Sequence, residues 1–132
     1  DAMELIELAM EDEPDNVEYN YELARIFIEM GNYPSAISNL ELVVENKRNY
    51  LLYYMLASAY QGDEQIDRAI GAYLKSIMLN EKFALPYKQL GILFMGRGDN
   101  LSAVEYFEDY IKLDVVEDEK KQIREILQRI KK

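Results

Sequence analysis

Apolar residues recur at three- and four-residue intervals along most of the chain, in stretches separated by short polar turns. Leu90, Leu93 and Phe94 form one such stretch, and Ala103, Val104 and Phe107 form the next. That spacing predicts amphipathic helices in succession. Between paired stretches lie GNY, GDE and GRGDN, where Gly can take a positive φ and Asn or Asp can cap the following helix. Each pair therefore reads as a helical hairpin. One hairpin cannot bury its apolar face alone, so the copies are expected to stack.

The hairpins also repeat in register. Tyr87 is followed by Leu90, Gly91, Phe94, Ala103 and Phe107, and Tyr53, Leu56, Ala57, Tyr60, Ala69 and Tyr73 keep identical spacings. Asn20, Leu23, Ala24, Phe27, Ala36 and Leu40 make a third, less complete copy, with Leu and Ala positions 33 and 34 residues apart. The small residues let helix backbones approach while the large ones fill the space beside them. This arrangement resembles the tetratricopeptide repeat, in which W-x₂-L-G-x₂-Y, then A-x₃-F, then P recur about every 34 residues. The Trp position holds Asn20, Tyr53 and Tyr87 here, and other residues fill the Pro position after each copy.

The resemblance implies an all-α fold, a right-handed α-solenoid of stacked antiparallel helix pairs. Its expected divisions are residues 1–14 (the second helix of a truncated repeat), 15–49, 50–83 and 84–114 (three repeats) and 115–132 (a capping helix), together one domain. The first full copy is one residue short before Tyr50, so the turn around ENKRN is expected to be tighter than the one around LNEKF.

Ala2, Ile6, Ala9 and Pro14 fall where a second helix of a preceding copy would put its Ala, Phe and Pro positions. The chain is accordingly read as a fragment that begins inside a repeat, which leaves Met3 and Leu5 short of a packing partner and able to drive homo-oligomerisation. At the other end, EDEKKQIREILQRIKK places Ile123, Ile126, Leu127 and Ile130 on one face and charges on the other. That helix resembles the solvating cap of a repeat array. A coiled coil would need three or four heptads.

Charge narrows the partners. The net charge is −10, which argues against nucleic acid, since backbone binding needs clustered Lys and Arg. Its distribution is uneven: residues 120–132 hold six of the fifteen cations against Glu125 alone, while residues 1–119 hold nine against 24 acids. The cations of the last turns suit the helix dipole. No apolar run approaches the roughly 18 residues of a membrane span, so no direct membrane insertion is expected. The opening DAMELIE lacks the pattern of a secretory signal. A soluble domain is expected, with a cytoplasmic setting favoured over a periplasmic or membrane-tethered one.

Candidate chemistry is sparse. With no His and no Cys, the commonest general base and the strongest nucleophile are missing. The acids Asp63, Glu64 and Asp67, and Glu117, Asp118 and Glu119, read as helix-start carboxylates favoured by the dipole. No calcium loop or phosphate loop is spelled, so no metal, no cofactor and no enzyme activity are expected. Arg97, Gly98 and Asp99 resemble an adhesion tripeptide but are expected to form a hairpin turn.

In the family this chain resembles, first helices line a concave face that holds extended or helical segments of other proteins. The matching inward positions are Tyr21, Glu22, Arg25 and Ile28, then Tyr54, Met55, Ser58 and Gln61, then Lys88, Gln89, Ile92 and Met95. Tyr and Met give large, adaptable contact area. Co-chaperone versions clamp a C-terminal carboxylate with Lys and Asn, then Asn, then Lys and Arg. The matching positions here hold Tyr21 and Arg25, Met55, then Leu85 and Gln89, and none agrees in type. The expected function is a scaffold or adaptor module binding a protein or peptide partner whose segment is uncharged and partly apolar, not an acidic chaperone tail. Alternatives are a self-associating structural domain and an accessory domain of a larger enzyme or of an envelope or secretion protein.

Overall fold

The structure is a computed structural model that describes residues 1–131. Lys132, counted above with the basic end and the capping segment, lies outside the described residues. Among the described residues there are eight α-helices and no strand. None is long and apolar enough to cross a membrane.

The first compact unit, residues 1–79, holds α1 (Ala2–Met10), α2 (Val17–Glu29), α3 (Tyr33–Asn46), α4 (Tyr50–Gly62) and α5 (Ile66–Leu79). Short polar side chains start several of them. Asp1 and Glu4 form a capping box on α1, Asn16 Oδ1 accepts from the Tyr19 amide, and Asn49 Oδ1 accepts from Leu51 and Leu52 at 2.8 and 3.3 Å. Each satisfies a backbone donor that the first turn leaves unpaired. Ala24, Ala36, Ala57 and Ala69 are fully buried where the helices approach, and Leu40, Leu52 and Tyr73 fill the space beside them.

Two buried polar residues are fully paired. Asn20, in the Trp position of its repeat, donates Nδ2 to the Pro14 and Asn16 carbonyls at 2.9 and 2.8 Å and accepts from Asn39 Nδ2 at 3.2 Å. Ser76 Oγ donates to the Tyr50 carbonyl at 2.9 Å.

The second unit begins at Asn80 and holds α6 (Leu85–Gly96), α7 (Asn100–Ile111) and α8 (Glu117–Ile130). Ala103, Phe107 and Tyr110 of α7 close against Ile123 and Leu127 of α8. The face of α8 expected to be apolar is thus the face that packs. Gly91 is buried against α7, where a Cβ would be driven into the Phe107 ring.

The turns refine the expectation. In the first and third hairpins Gly31 (φ +76°) and Gly98 (φ +80°) take the left-handed conformation, the latter followed by Asp99, whose side chain caps α7. In GDE, however, Gly62 still belongs to α4, and the left-handed residue is Glu64 (φ +62°). Gly62 is small for a different reason: the Tyr33 ring lies over its Cα and leaves no room for a Cβ. Glu64 is therefore a strained turn residue rather than a dipole-favoured carboxylate of the first helical turn. The α3–α4 connection is three residues, and the one after α5 is five, as the shortened first copy implied.

Candidate functional site

The inward positions divide between the two units. In the first, α2 carries Tyr21, Arg25 and Ile28, and α4 carries Tyr54, Met55, Ser58 and Gln61. Tyr21, Ile28, Tyr54, Ser58 and Gln61 are half-buried, Arg25 is exposed, and Met55 is buried at 7%, so Met55 adds little surface.

The centre of this face is a cluster of tyrosines. The Tyr54 ring lies 5.7 Å from that of Tyr73 at a tilt of 54°, and Tyr73 Oη donates to Gln61 Oε1 at 2.6 Å. Burial raises the Tyr73 and Tyr54 hydroxyls above the usual tyrosine range, and at Tyr54 the neighbouring Tyr21 hydroxyl adds to the rise. Both therefore stay neutral through the physiological range. Ser58 Oγ donates to the Tyr54 carbonyl at 3.1 Å. With Gln61 Oε1 occupied by Tyr73, the amide nitrogen of Gln61 remains to donate.

In the second unit, α6 carries Lys88, Gln89, Ile92 and Met95, all half-buried. Ile92 and Met95 pack against the core cluster that α7 and α8 share. Lys88 Nζ pairs with Glu119 Oε2 of α8 at 3.1 Å, beside Tyr110.

The cations among these positions are thus already paired. Arg25 holds Glu22 at 2.7 Å and Glu29 at 2.8 Å along its own helix. Those pairs raise its guanidinium further above its ordinary value, hydrogen bonding to Glu22 contributing most. The pairing of Arg25 was open to sequence reasoning, because Glu22 and Glu29 stand three before and four after it. The pairing of Lys88 was not, because it depends on where α8 docks.

Stacked antiparallel helix pairs with small residues at the crossings and polar–aromatic first-helix faces define a helical-repeat interaction protein. Two profiles described as tetratricopeptide repeat match residues 1–60 and 51–83, and the chain belongs to the tetratricopeptide repeat family. It is 33% identical over 86 residues to the Hsp70-Hsp90 organising protein of Plasmodium falciparum (isolate 3D7), covering 59% of this chain and 15% of that one. Among solved structures, a MamA chain is 26% identical with a TM-score of 0.76, over 85% of this chain and 66% of its own. The type III secretion translocator chaperone SycD of Yersinia enterocolitica is 19% identical with a TM-score of 0.81, over 94% and 90%, a likeness of fold. This chain therefore spans about 15% of the length of the organising protein and 66% of that MamA chain. Membership of the family supports a protein–protein interaction module.

Proposed function

We propose that this module is a non-enzymatic scaffold or adaptor that holds an uncharged, partly apolar segment of a protein partner on its first-helix faces. The principal contacts would be Tyr21, Ile28, Tyr54, Ser58 and Gln61 in the first unit, with Lys88 and Gln89 presenting a second patch. The observation that carries this reading is the pairing of Arg25 and Lys88 with carboxylates of their own units. An anionic ligand would have to displace Glu22 and Glu29, or Glu119, before gaining a contact, and those acids would repel it meanwhile. A neutral segment meets aromatic rings, neutral hydroxyls and the Gln61 amide, which suit a peptide backbone.

The likeness to an Hsp70–Hsp90 organising protein makes the alternative concrete. A peptide ending in Glu-Glu-Val-Asp, titrated calorimetrically into the chain, is expected to give no measurable heat of binding. Micromolar affinity would overturn the neutral-ligand reading. For the face itself, partner capture should be lost in Tyr54→Glu and kept in Met78→Glu, a control at a position 78% exposed. Loss in both, or in neither, counts against this face.

A further inference from the structure

A groove of about 320 Å³ opens in the first unit between α4 and α5, lined by Tyr53 and Tyr60 of α4 and by Arg68, Gly71, Ala72 and Lys75 of α5. Tyr53 and Tyr60 stand two turns apart, on a different face of α4 from the one that carries Tyr54, Ser58 and Gln61. The same interval separates Arg68 from Lys75. Both cations are exposed, and neither forms an ion pair among the described residues. Lys75 Nζ lies over the Tyr53 ring, 5.6 Å from its centroid, and Arg68 stands beside the Tyr60 hydroxyl. The carboxylate of Glu41 accepts from Tyr60 at 2.7 Å rather than from either cation. Between the cations the floor is bare, since Ala72 is small and a Cβ on Gly71 would meet nothing within 4 Å. Glycine weakens a helix interior, and no side chain of this chain presses on Gly71 to require one.

The neighbouring repeats fill the same place. Thirty-four residues on, the counterparts of Tyr60 and Ala72 are Phe94 and Tyr106, whose rings stack 5.6 Å apart at 8°. The counterparts of Arg68 and Lys75 there are Ser102 and Asp109. Thirty-three residues back, Asn39 holds the place of Ala72 and bonds Asn20, and Ser35 and Leu42 replace the cations. Of the three repeats, the middle one alone leaves the place of that ring open and flanks it with two cations.

We propose that this groove docks a helix of a protein partner carrying carboxylates at positions i and i+7 and an aromatic side chain at i+4 between them. Arg68 and Lys75 are about 10.5 Å apart along α5, the interval at which a helix laid beside α5 repeats its own face. A strand misses that interval, because residues on one of its faces recur at about 6.7 Å and then about 13 Å. The partner's ring takes the place that Tyr106 takes in the third repeat, and Gly71 lets the partner's backbone come close. This reading does not rest on the neutral segment proposed above and uses none of those side chains. A Glu-Glu-Val-Asp ending is too short to form the two helical turns, so the calorimetric expectation is unchanged.

The probe is a fluorescein-labelled, alanine-rich helical peptide of about 16 residues with Glu at i and i+7 and Trp at i+4, followed by fluorescence anisotropy. Micromolar affinity that weakens in high salt is expected for the wild-type chain. Arg68→Glu/Lys75→Glu, at two exposed positions that leave circular dichroism unchanged, should weaken binding by about tenfold or more. Ala72→Tyr, which copies the ring of the third repeat, should block it with both cations intact. Tyr54→Glu should leave it unchanged, which separates this groove from the first-helix face. Absence of saturable binding up to about 1 mM, or equal affinity in the charge-reversed variant, would overturn the proposal. So would equal affinity for a peptide with its second Glu moved to i+5, or for a proline-bearing extended peptide of the same composition. Self-association of the chain that the charge reversal abolishes, with no peptide bound, would assign the groove to a second copy instead.

Discussion

Gly31, Glu64 and Gly98 occupy the same place in three successive hairpins, and all three have positive φ. The middle one carries a side chain where its counterparts do not. A left-handed conformation costs an L-residue about 1–2 kcal/mol, while introducing Gly loosens the unfolded chain by about 0.4–1 kcal/mol. Glu64→Gly should therefore stabilise the first unit by about 0.5–1 kcal/mol. The reverse changes, Gly31→Ala and Gly98→Ala, should destabilise by a similar amount. A Cβ at either glycine meets nothing within 4 Å, so the backbone term acts alone. Urea unfolding followed by far-ultraviolet circular dichroism measures this as a shift of midpoint at unchanged slope. A Glu64→Gly protein less stable than wild type, alongside a neutral Gly31→Ala, would refute the reasoning.

Four other outcomes follow from the packing and the charges. Gly91→Ala should lower stability by about 1–3 kcal/mol through collision with Phe107, and Phe107→Leu in the same chain should recover part of the loss in the same urea assay. Ala69→Leu, at a fully buried crossing, should fall in the same range. Tyr60 donates to Glu41 at 2.7 Å, and burial, ahead of that carboxylate, pushes its hydroxyl up to about 12, so absorbance titration should show it ionising later than ordinary tyrosines. Because the folded value is raised, its stabilising contribution is complete below about pH 10 and is lost as pH rises through about 12, and Tyr60→Phe should flatten that alkaline decline in thermal melts.

Much of the fold was legible because close helix packing admits few residue types. Ala36, Ala69 and Ala103 are all fully buried, and their spacing alone announced the hairpins. The turns were less legible. GDE places its glycine two positions earlier than GNY does, and only the backbone shows that Gly62 yields space to Tyr33 while Glu64 makes the turn. On the candidate face, the helices supplying each side chain followed from the repeat, but exposure did not. Met55 is buried, and Ile92 and Met95 join the core cluster, because neighbouring helices cover positions that a single helical period cannot distinguish from open ones. Likewise the Tyr73–Gln61 hydrogen bond joins residues on two helices of one hairpin, which no local pattern encodes.

Asn20 bears on how such a chain can be rearranged. Its amide is satisfied by the carbonyls of Pro14 and Asn16 and by Asn39, nineteen positions along on the other helix of its hairpin. Recombination that moves the whole hairpin with its entry turn carries the network intact. Exchange of either helix alone strands a buried amide, a loss of about 1–3 kcal/mol. Shuffling of these repeats, in evolution or by an engineer, is thereby confined to hairpin-sized modules at this point of the chain, and a crossover between residues 20 and 39 should be selected against.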